Sequence, residues 1–302
     1  MDNFVNLHVH TSASLQDSII RPIDLVDKVV EYKQSAVAIT DHSSVASWIE
    51  MNGLCQDRSI KPIFGNEFYC IPEYKKSRRR DHLVMLAMNN EGLVNIRRLQ
   101  RIAVENAYYK PLLSYELLKE LPHDGIYCTS ACSLSSISKC ILADNFQSAN
   151  MYCEMFNDIF DGNFALELQF HPAYKDQSKI NEGLVELSER HDIPLTVSCD
   201  CHFLDETDRE LRKIVQAISW NKKWDDDSLF DSLKSNCVGN SDLVMKFAME
   251  SNFQYMHVVQ PAIKQTYKIA KQCNAQLEEP ERRIPVFNKY DEFNQLMQCQ
   301  EW

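Results

Sequence analysis

Seven short apolar runs recur along the first two thirds of the chain, and stretches with helical periodicity separate most of them. The runs are FVNLHVH (4–10), SAVAIT (35–40), IKPIFGNEFYC (60–70), HLVMLAM (82–88), GIYCTSAC (125–132), FALELQF (164–170) and IPLTVSCDCHFL (193–204). Alternating strands and helices predict an α/β fold with a mostly parallel sheet. Seven strands favour closure of that sheet into a barrel.

The pattern changes near residue 206, after which three helix-like segments follow with little strand signal between them. The segments are ELRKIVQAISWNKKW, SDLVMKFAMES and QPAIKQTYKIAKQC. We therefore expect a barrel over residues 1–205, a small helical appendage over 206–286 and a tail over 287–302.

Composition narrows the class of protein. The 302 residues are 44% hydrophobic and 25% charged, and they contain neither an apolar run of membrane length nor a secretory signal pattern. We expect a cytoplasmic protein without membrane contact, whose 11 cysteines stay reduced. A net charge of −11 argues against general coating of nucleic acid. Seven glycines and the absence of GxxxxGK[ST] or GxGxxG argue against a nucleotide-binding fold.

The first run contains His8 and His10, with one valine between them. Residues i and i+2 of a strand point to the same face, so the two imidazoles would lie side by side. Asp200 and His202 repeat this spacing in the last run. The His8 and His10 pair alone is also compatible with a solvated strand face, whereas the first and last strands of a barrel meet and would bring the two pairs together.

Further metal-ligand side chains lie at the ends of these strands or directly after them. Every strand except FALELQF contributes, and the full set is His8, His10, Asp17, Asp41, His42, Glu67, His82, Cys132, Asp200 and His202. Strand ends of an α/β barrel converge on one mouth, where active sites assemble. Imidazole, carboxylate and thiolate suit Zn²⁺, Mn²⁺ or Fe²⁺, so we predict a site for two or three divalent ions.

Several longer motifs resemble one family. LHVHTSASLQDS, AITDHSS, KPIFGNEFY, HLVMLAMNNEGLVNIRRL, YYKPLL, TSAC, FALELQ, NEGLVELSERHDIPLTVSCDCHFL and IAKQCN occur in the order typical of the polymerase and histidinol phosphatase (PHP) domain at the start of bacterial DNA polymerase III alpha subunits. The resemblance runs from about residue 4 to about residue 277. The YYKP segment and the helices after the barrel distinguish this branch from the phosphatases.

The resemblance implies a distorted seven-stranded barrel that holds three metal ions, with Glu67 bridging two of them. The implied ligands are His8, His10, Asp17, His42, Glu67, His82, Cys132, Asp200 and His202. Asp41 is not a usual ligand and is expected to orient a neighbour. Cys199 and the run 133–135 depart from the family pattern beside the site.

The implied activity is metal-dependent phosphoester hydrolysis, in particular 3′–5′ removal of nucleotides from a DNA 3′ end together with a polymerase subunit in another chain. His10, Asp17 and His202 are the ligands expected nearest the scissile phosphate. The basic run 75–80 is either a contact for the phosphate backbone or a solvated loop. Two alternatives remain open: a phosphatase for a small phosphomonoester, and a non-catalytic scaffold module of a polymerase.

Overall fold

The computed structural model describes residues 2–73, 79–224, 226 and 235–277. Seven strands form one curled sheet, a half-barrel with helices around it. The strands are β1 (Ala36–Ile39), β2 (Lys61–Ile71), β3 (Asp81–Ala87), β4 (Leu113–Ser114), β5 (Ile126–Thr129), β6 (Phe164–Gln169) and β7 (Leu195–Ser198). The predicted α/β class is confirmed.

The strand order is β1-β2-β3-β5-β6-β7, and the short β4 lies beside β2. β3 is antiparallel to β2 and to β5, while the other pairs of neighbouring strands are parallel. β2 and β3 follow one another without an intervening described helix, so the chain reverses direction between them.

Ten helices are present in the described part of the chain: α1 (Pro22–Glu31), α2 (Trp48–Asp57), α3 (Asn90–Glu105), α4 (Tyr115–Glu120), α5 (Ser136–Leu142), α6 (Phe146–Ile159), α7 (Gln177–His191), α8 (Arg209–Ser219), α9 (Ser241–Glu250) and α10 (Met256–Gln272). Side chains cap several of them; Asn89, for example, accepts a hydrogen bond from the amide of Gly92 at the start of α3. Among the described residues, none of these helices has the length and apolarity needed to cross a bilayer.

The first predicted strand differs from expectation. Residues 4–10 are extended but make only isolated bridges, from Asn6 to β1 and from Val9 to Cys201 beyond β7. The amides of Val5 and Val9 donate instead to the hydroxyls of Thr266 (2.9 Å) and Thr40 (2.8 Å). Because side chains take up these donors, no regular ladder forms, although the segment still lies between β1 and the end of β7.

The interior of the curled sheet is apolar at one end. Ile63 shares a face of β2 with Glu67, and Val84 shares a face of β3 with His82, because both pairs have even spacing. Ile63 and Val84 belong to a cluster that also contains Ile269 of α10. α10 therefore closes the apolar end of the interior and leaves the end with the polar residues open.

Some predictions fall partly or wholly outside the described residues: the tail at 287–302, part of the appendage and residues 75–78 of the basic run. The three helix-like segments do coincide with helices: α9 lies within its segment, whereas α8 begins one residue and α10 four residues before theirs. Within the described part of the basic run, Arg79 pairs with the buried Asp81 at 2.8 Å. The domain limits at residues 205 and 286 stay predictions.

Candidate metal centre

The polar side chains predicted from strand ends converge at the open end of the barrel. Seven of the nine implied ligands form three overlapping groups, each with ligand atoms within 4.8 Å of one another. The groups are His10, His42, His202; His8, His10, Asp200; and His42, Glu67, His82. The sequence-distant pairs at residues 8–10 and 200–202 therefore meet.

Glu67, in β2, lies at the centre of this cluster. Its Oε1 is 3.3 Å from His8 Nε2 and 2.8 Å from His82 Nδ1, and its Oε2 is 3.3 Å from His10 Nε2 and 2.6 Å from His42 Nδ1. Burial alone would raise the pKa of Glu67, but the imidazoles of His82, His42 and His8 hold that pKa well below its usual value. Glu67 is therefore an ionised carboxylate that faces four imidazoles.

Asp200 approaches the same imidazoles from the β7 side. Its Oδ1 lies 3.2 Å from His8 Nε2 and 3.3 Å from His10 Nε2. The backbone of Asp200 is left-handed (φ 50°), which ends the strand and turns the chain into the site.

Asp17 completes the cluster on its solvent side. Its Oδ2 lies 2.9 Å from His42 Nε2 and 3.1 Å from His202 Nε2. Its other carboxylate oxygen accepts a hydrogen bond from the guanidinium of Arg212 at 2.9 Å, and Arg212 Nε also donates to the Asp17 carbonyl at 3.1 Å. Arg212 comes from α8, so the region after the barrel contributes to the site.

Several buried nitrogen and oxygen atoms of the cluster lack hydrogen-bond partners, as expected of atoms that could bind metal ions. Within the described residues, His8 Nε2, His10 Nε2, His42 Nδ1, Glu67 Oε2 and Asp200 Oδ1 are buried without a hydrogen-bond partner. Buried polar atoms are normally satisfied, so a converging set without partners is unusual. These atoms face one another at 2.6–3.3 Å, as lone pairs directed at shared ions would. The donor set of imidazole and carboxylate fits divalent transition metals.

His8 and His202 each make a hydrogen bond through Nδ1, the ring nitrogen that points away from the cluster. His8 Nδ1 lies 2.8 Å from Oε1 of Glu167, and a carboxylate can only accept, so Nδ1 is protonated. His202 Nδ1 likewise donates to the Asp200 carbonyl at 2.7 Å. In both rings Nε2 is therefore the nitrogen that faces the cluster, and it is the atom that would bind a metal ion once it is deprotonated.

Asp41 acts on His10 through a serine. Its carboxylate accepts from the Ser14 hydroxyl at 2.8 Å and from the Thr11 amide at 2.6 Å. Because Ser14 uses its proton on Asp41, its oxygen accepts from His10 Nδ1 at 3.1 Å. Asp41 is thus linked to the candidate ligand His10 through the Ser14 hydroxyl.

Cys132 lies at the edge of the cluster. Its Sγ is 3.4 Å from His82 Nδ1, but it is not part of the three groups of converging atoms. Burial, reinforced by Glu67, raises the pKa of the Cys132 thiol well above its ordinary value. The ten cysteines of the described chain form no disulfide.

Glu167 contributes to the site although FALELQF was the one strand expected to contribute nothing. That expectation is wrong, because Glu167 is buried in β6 and holds His8. Its carboxylate also accepts from Ser198 at 2.5 Å and from Gln169 at 3.0 Å. The available signal was a single carboxylate inside an otherwise apolar run.

A cavity of about 330 Å³ opens over the cluster. Its lining combines candidate ligands with other side chains, and consists of Asp17, His42, His82, Cys132, Ser133, Leu134, Gln169, His171, Tyr174, Asp200, His202, Arg212, Gln216, Trp220 and Asn236. Of the three residues expected nearest the phosphate, Asp17 and His202 line this cavity, and His10 lies in the cluster behind them. The centre is therefore open to a ligand from one side.

His171 is a further site residue that strand-end reasoning missed. It is buried beside the cavity, with Nδ1 2.6 Å from the Ser235 hydroxyl and Nε2 3.2 Å from Gln169 Oε1. Burial is the main cause that lowers the pKa of His171 to about 4. A neutral imidazole is therefore held in the cavity wall.

A curled α/β half-barrel with a cluster of histidines and carboxylates at its open end defines a class of fold that could hold metal ions, and sequence comparison identifies the family. The family model described as "PHP domain" matches residues 6–171. The chain belongs to the PHP domain family.

Its curated relatives include DNA polymerase III alpha subunits. The chain is 30% identical to that of Borreliella burgdorferi, over 97% of this chain and 26% of the relative. It is 28% identical to that of Treponema pallidum, over 97% of this chain and 25% of the relative. The chain thus spans about a quarter of the length of these relatives.

Solved structures show a more distant similarity. A predicted metal-dependent phosphoesterase from Bifidobacterium adolescentis is 14% identical, with a TM-score of 0.41, over 82% of this chain and 96% of its own. A two-domain protein from Bacteroides vulgatus, with a predicted PHP-like metal-dependent phosphoesterase, is 13% identical, with the same TM-score, over 82% of this chain and 69% of its own.

Proposed function

We propose that this chain is a metal-dependent phosphoesterase that removes nucleotides from DNA 3′ ends, as a 3′–5′ exonuclease associated with a replicative polymerase. The observation that carries the proposal is the set of buried, unbonded ligand atoms beneath an open cavity. The similarity to DNA polymerase III alpha subunits supports DNA as substrate and a polymerase subunit in another chain as partner. The cytoplasm is the corresponding compartment.

The proposed ligands for two or three ions are the nine residues of the implied set: His8, His10, Asp17, His42, Glu67, His82, Cys132, Asp200 and His202. Bound Zn²⁺, Mn²⁺ or Fe²⁺ would lower the pKa of a water and neutralise charge on a phosphoryl oxygen. The protein itself supplies a shaped, partly enclosed cavity and fixes the direction of each imidazole.

Three residues are proposed to act nearest the reacting phosphate: His10, Asp17 and His202. Asp17 and His202 border the cavity and contact each other, so a phosphate in the cavity would lie against both. Arg212 adds a fixed positive charge at the same wall, which would favour an anionic substrate. The His10 ring lies beneath them, and the hydrogen bond between its Nδ1 and the Ser14 hydroxyl sets its orientation.

The test combines metal analysis with degradation of a labelled DNA primer in the presence of Mn²⁺ or Zn²⁺. Two or three ions per chain and loss of nucleotides from the 3′ end are expected. A metal content below one ion per chain after expression in metal-rich medium contradicts the metal centre. Intact primers with every metal contradict the exonuclease.

Two other functions give different results in the same assays. A phosphatase for a small phosphomonoester would hydrolyse a chromogenic monoester and leave DNA intact. A scaffold module would bind metal, hydrolyse neither substrate and copurify with a polymerase subunit. The open side of the cavity, bordered by Trp220 and Gln216, favours a substrate that extends beyond one phosphate group.

A further inference from the structure

A second cavity of about 620 Å³ adjoins the metal centre, and we call it the outer groove. It shares six lining residues with the cavity over the metal centre: Asp17, His42, His82, Leu134, Gln216 and Trp220. Because six residues line both cavities, the two cavities form one continuous path. The outer groove therefore leads from the candidate ligands toward the protein surface.

The charge of the outer groove is opposite to that of the whole chain. Arg80 and Lys110 line it, although the chain carries a net charge of −11. Asp17 is the one carboxylate among the described residues of its lining, and Arg212 already pairs with it. Lys110 is exposed and makes no ion pair with the described part of the chain. The groove wall is thus suited to an anion.

The local backbone holds the two basic residues in place. The amide of Tyr108 donates to the Lys110 carbonyl at 3.1 Å, and Tyr109 between them has a left-handed φ of 62°. The guanidinium of Arg80 donates to the Tyr108 carbonyl, which joins the Arg80 segment to this turn. A non-glycine residue at positive φ is uncommon and is often found at binding sites. Lys110 and Pro111 of the YYKP segment therefore form part of the groove wall.

An aromatic ring lies where the two spaces meet. Trp220 follows the last residue of α8, borders both cavities and is 44% exposed. An indole that is partly open to solvent next to a basic wall has the properties of a stacking platform for a nucleic-acid base. Base stacking and backbone charge are the two interactions by which single strands are bound without sequence preference.

We propose that the outer groove binds the phosphodiester chain of single-stranded DNA next to the nucleotide at the metal centre. Arg80 and Lys110 contact backbone phosphates, and Trp220 stacks on a base. The inference rests on the proposed function, because it takes the scissile phosphate to lie over the metal centre. It deepens that function by assigning the substrate to polymeric phosphodiesters rather than to small monoesters.

The experiment measures binding without hydrolysis. Fluorescence anisotropy of a fluorescein-labelled thymidine oligonucleotide is followed in EDTA at several salt concentrations. Lys110→Glu is expected to weaken binding several-fold and to reduce the slope of log Kd against log salt by at least about 0.7, the value for one single-strand phosphate contact. Trp220→Ala is expected to weaken binding about tenfold, and Trp220→Phe to retain most of the affinity.

Lys264→Glu is the matched control, because it makes the same charge change on an exposed residue of α10 that lines neither cavity. If Lys110→Glu and Lys264→Glu weaken oligonucleotide binding equally, the effect comes from net charge alone, and the proposal is overturned. Undetectable binding by the unmodified chain would overturn it as well. If binding depends on Lys110 and Trp220 but primers stay intact with every metal, the exonuclease proposal fails, whereas the proposal that the outer groove binds single-stranded DNA is supported.

Discussion

Oε1 of Glu167 lies 2.8 Å from Nδ1 of His8, while Nε2 of the same ring lies between Glu67 and Asp200. Glu167 is itself held by a 2.5 Å hydrogen bond from Ser198. A fixed carboxylate behind an imidazole sets the ring's orientation and raises its basicity toward a metal. The metal affinity of the centre should therefore depend on a residue that need not touch the metal.

Replacing Glu167 tests this dependence. Glu167→Ala removes the acceptor for His8 Nδ1 and should weaken metal binding about 10–100-fold, as is typical for such partners. Glu167→Gln retains an acceptor oxygen without the charge, so its metal affinity should lie between those of Glu167→Ala and the unmodified chain. Metal affinity is measured by competition with a chromogenic chelator. Glu189→Gln, on the surface of α7, is the control, and unchanged affinity in folded Glu167→Ala would contradict the role.

Asp17→Asn tests the proposed reaction. The substitution keeps the side-chain shape and removes the charge, so the fold and most bound metal should persist. The primer degradation rate should fall by orders of magnitude, several kcal/mol in the barrier, because a proposed ligand nearest the phosphate is lost. Metal content and melting temperature are recorded in parallel, with Asp57→Asn as the control. A primer degradation rate equal to that of the unmodified chain would show that Asp17 is not a site residue.

Arg212 should stabilise the loop that carries Asp17. Its guanidinium makes two hydrogen bonds to Asp17, one to the carboxylate and one to the backbone carbonyl. Arg212→Met should lower the free energy of unfolding of the metal-free protein by about 1.5–3 kcal/mol, the range for hydrogen bonds to charged groups. Arg212→Lys can replace only one of the bonds and should be intermediate.

Urea denaturation measures these free energies. Arg101→Met, which removes the exposed Arg101–Glu105 pair on α3, should change stability by no more than about 0.5 kcal/mol. If Arg212→Met has as small an effect as this control, the two hydrogen bonds to Asp17 contribute little to stability.

His171 should make the protein less stable in mild acid. Its pKa is lowered to about 4, whereas in the unfolded chain it is about 6.5. The unfolded state therefore gains a proton first, and stability is lost as pH falls from about 6.5 toward about 4. At about pH 5 the loss from this residue is about 2 kcal/mol.

His171→Gln should remove that part of the pH dependence, as seen by urea denaturation at about pH 7 and about pH 5. His257→Gln, at an exposed position on α10, is the control and should leave the dependence unchanged. An identical loss of stability in His171→Gln and the unmodified chain would show that the imidazole is not held neutral.

Sequence patterns pointed to residues that converge in the structure, but not to the residues that hold them in place. The i, i+2 spacing of His8 and His10 predicted imidazoles that lie side by side, and their ring centroids are 5.1 Å apart although the segment forms no regular ladder. Glu167 could not be recognised in this way, because its role depends on His8, which is 159 positions away. Arg212 was also missed, since its partner Asp17 is 195 positions away and helical periodicity does not report the direction of a polar face.

Strand prediction was limited in the same way: local sequence patterns predict most strands, but not features that depend on residues distant in the sequence. Local patterns located β1, β2, β3, β5, β6 and β7, whereas the two-residue β4 is too short to leave a pattern. The segment 4–10 has the composition of a strand, but its ladder is broken by Thr40 and Thr266. Such competition from side chains depends on tertiary neighbours and is invisible in a local window.

The hydrogen bond from Val5 to Thr266 joins residues separated by 261 positions. During translation at about 5–20 residues per second, Val5 is made about 13–50 s before this acceptor exists. The apolar end of the barrel also has no cover until Ile269 of α10 has been added. The nascent chain must therefore pass through a long interval in which its first segment and its interior are exposed, a period when ribosome-associated chaperones would have most to act on.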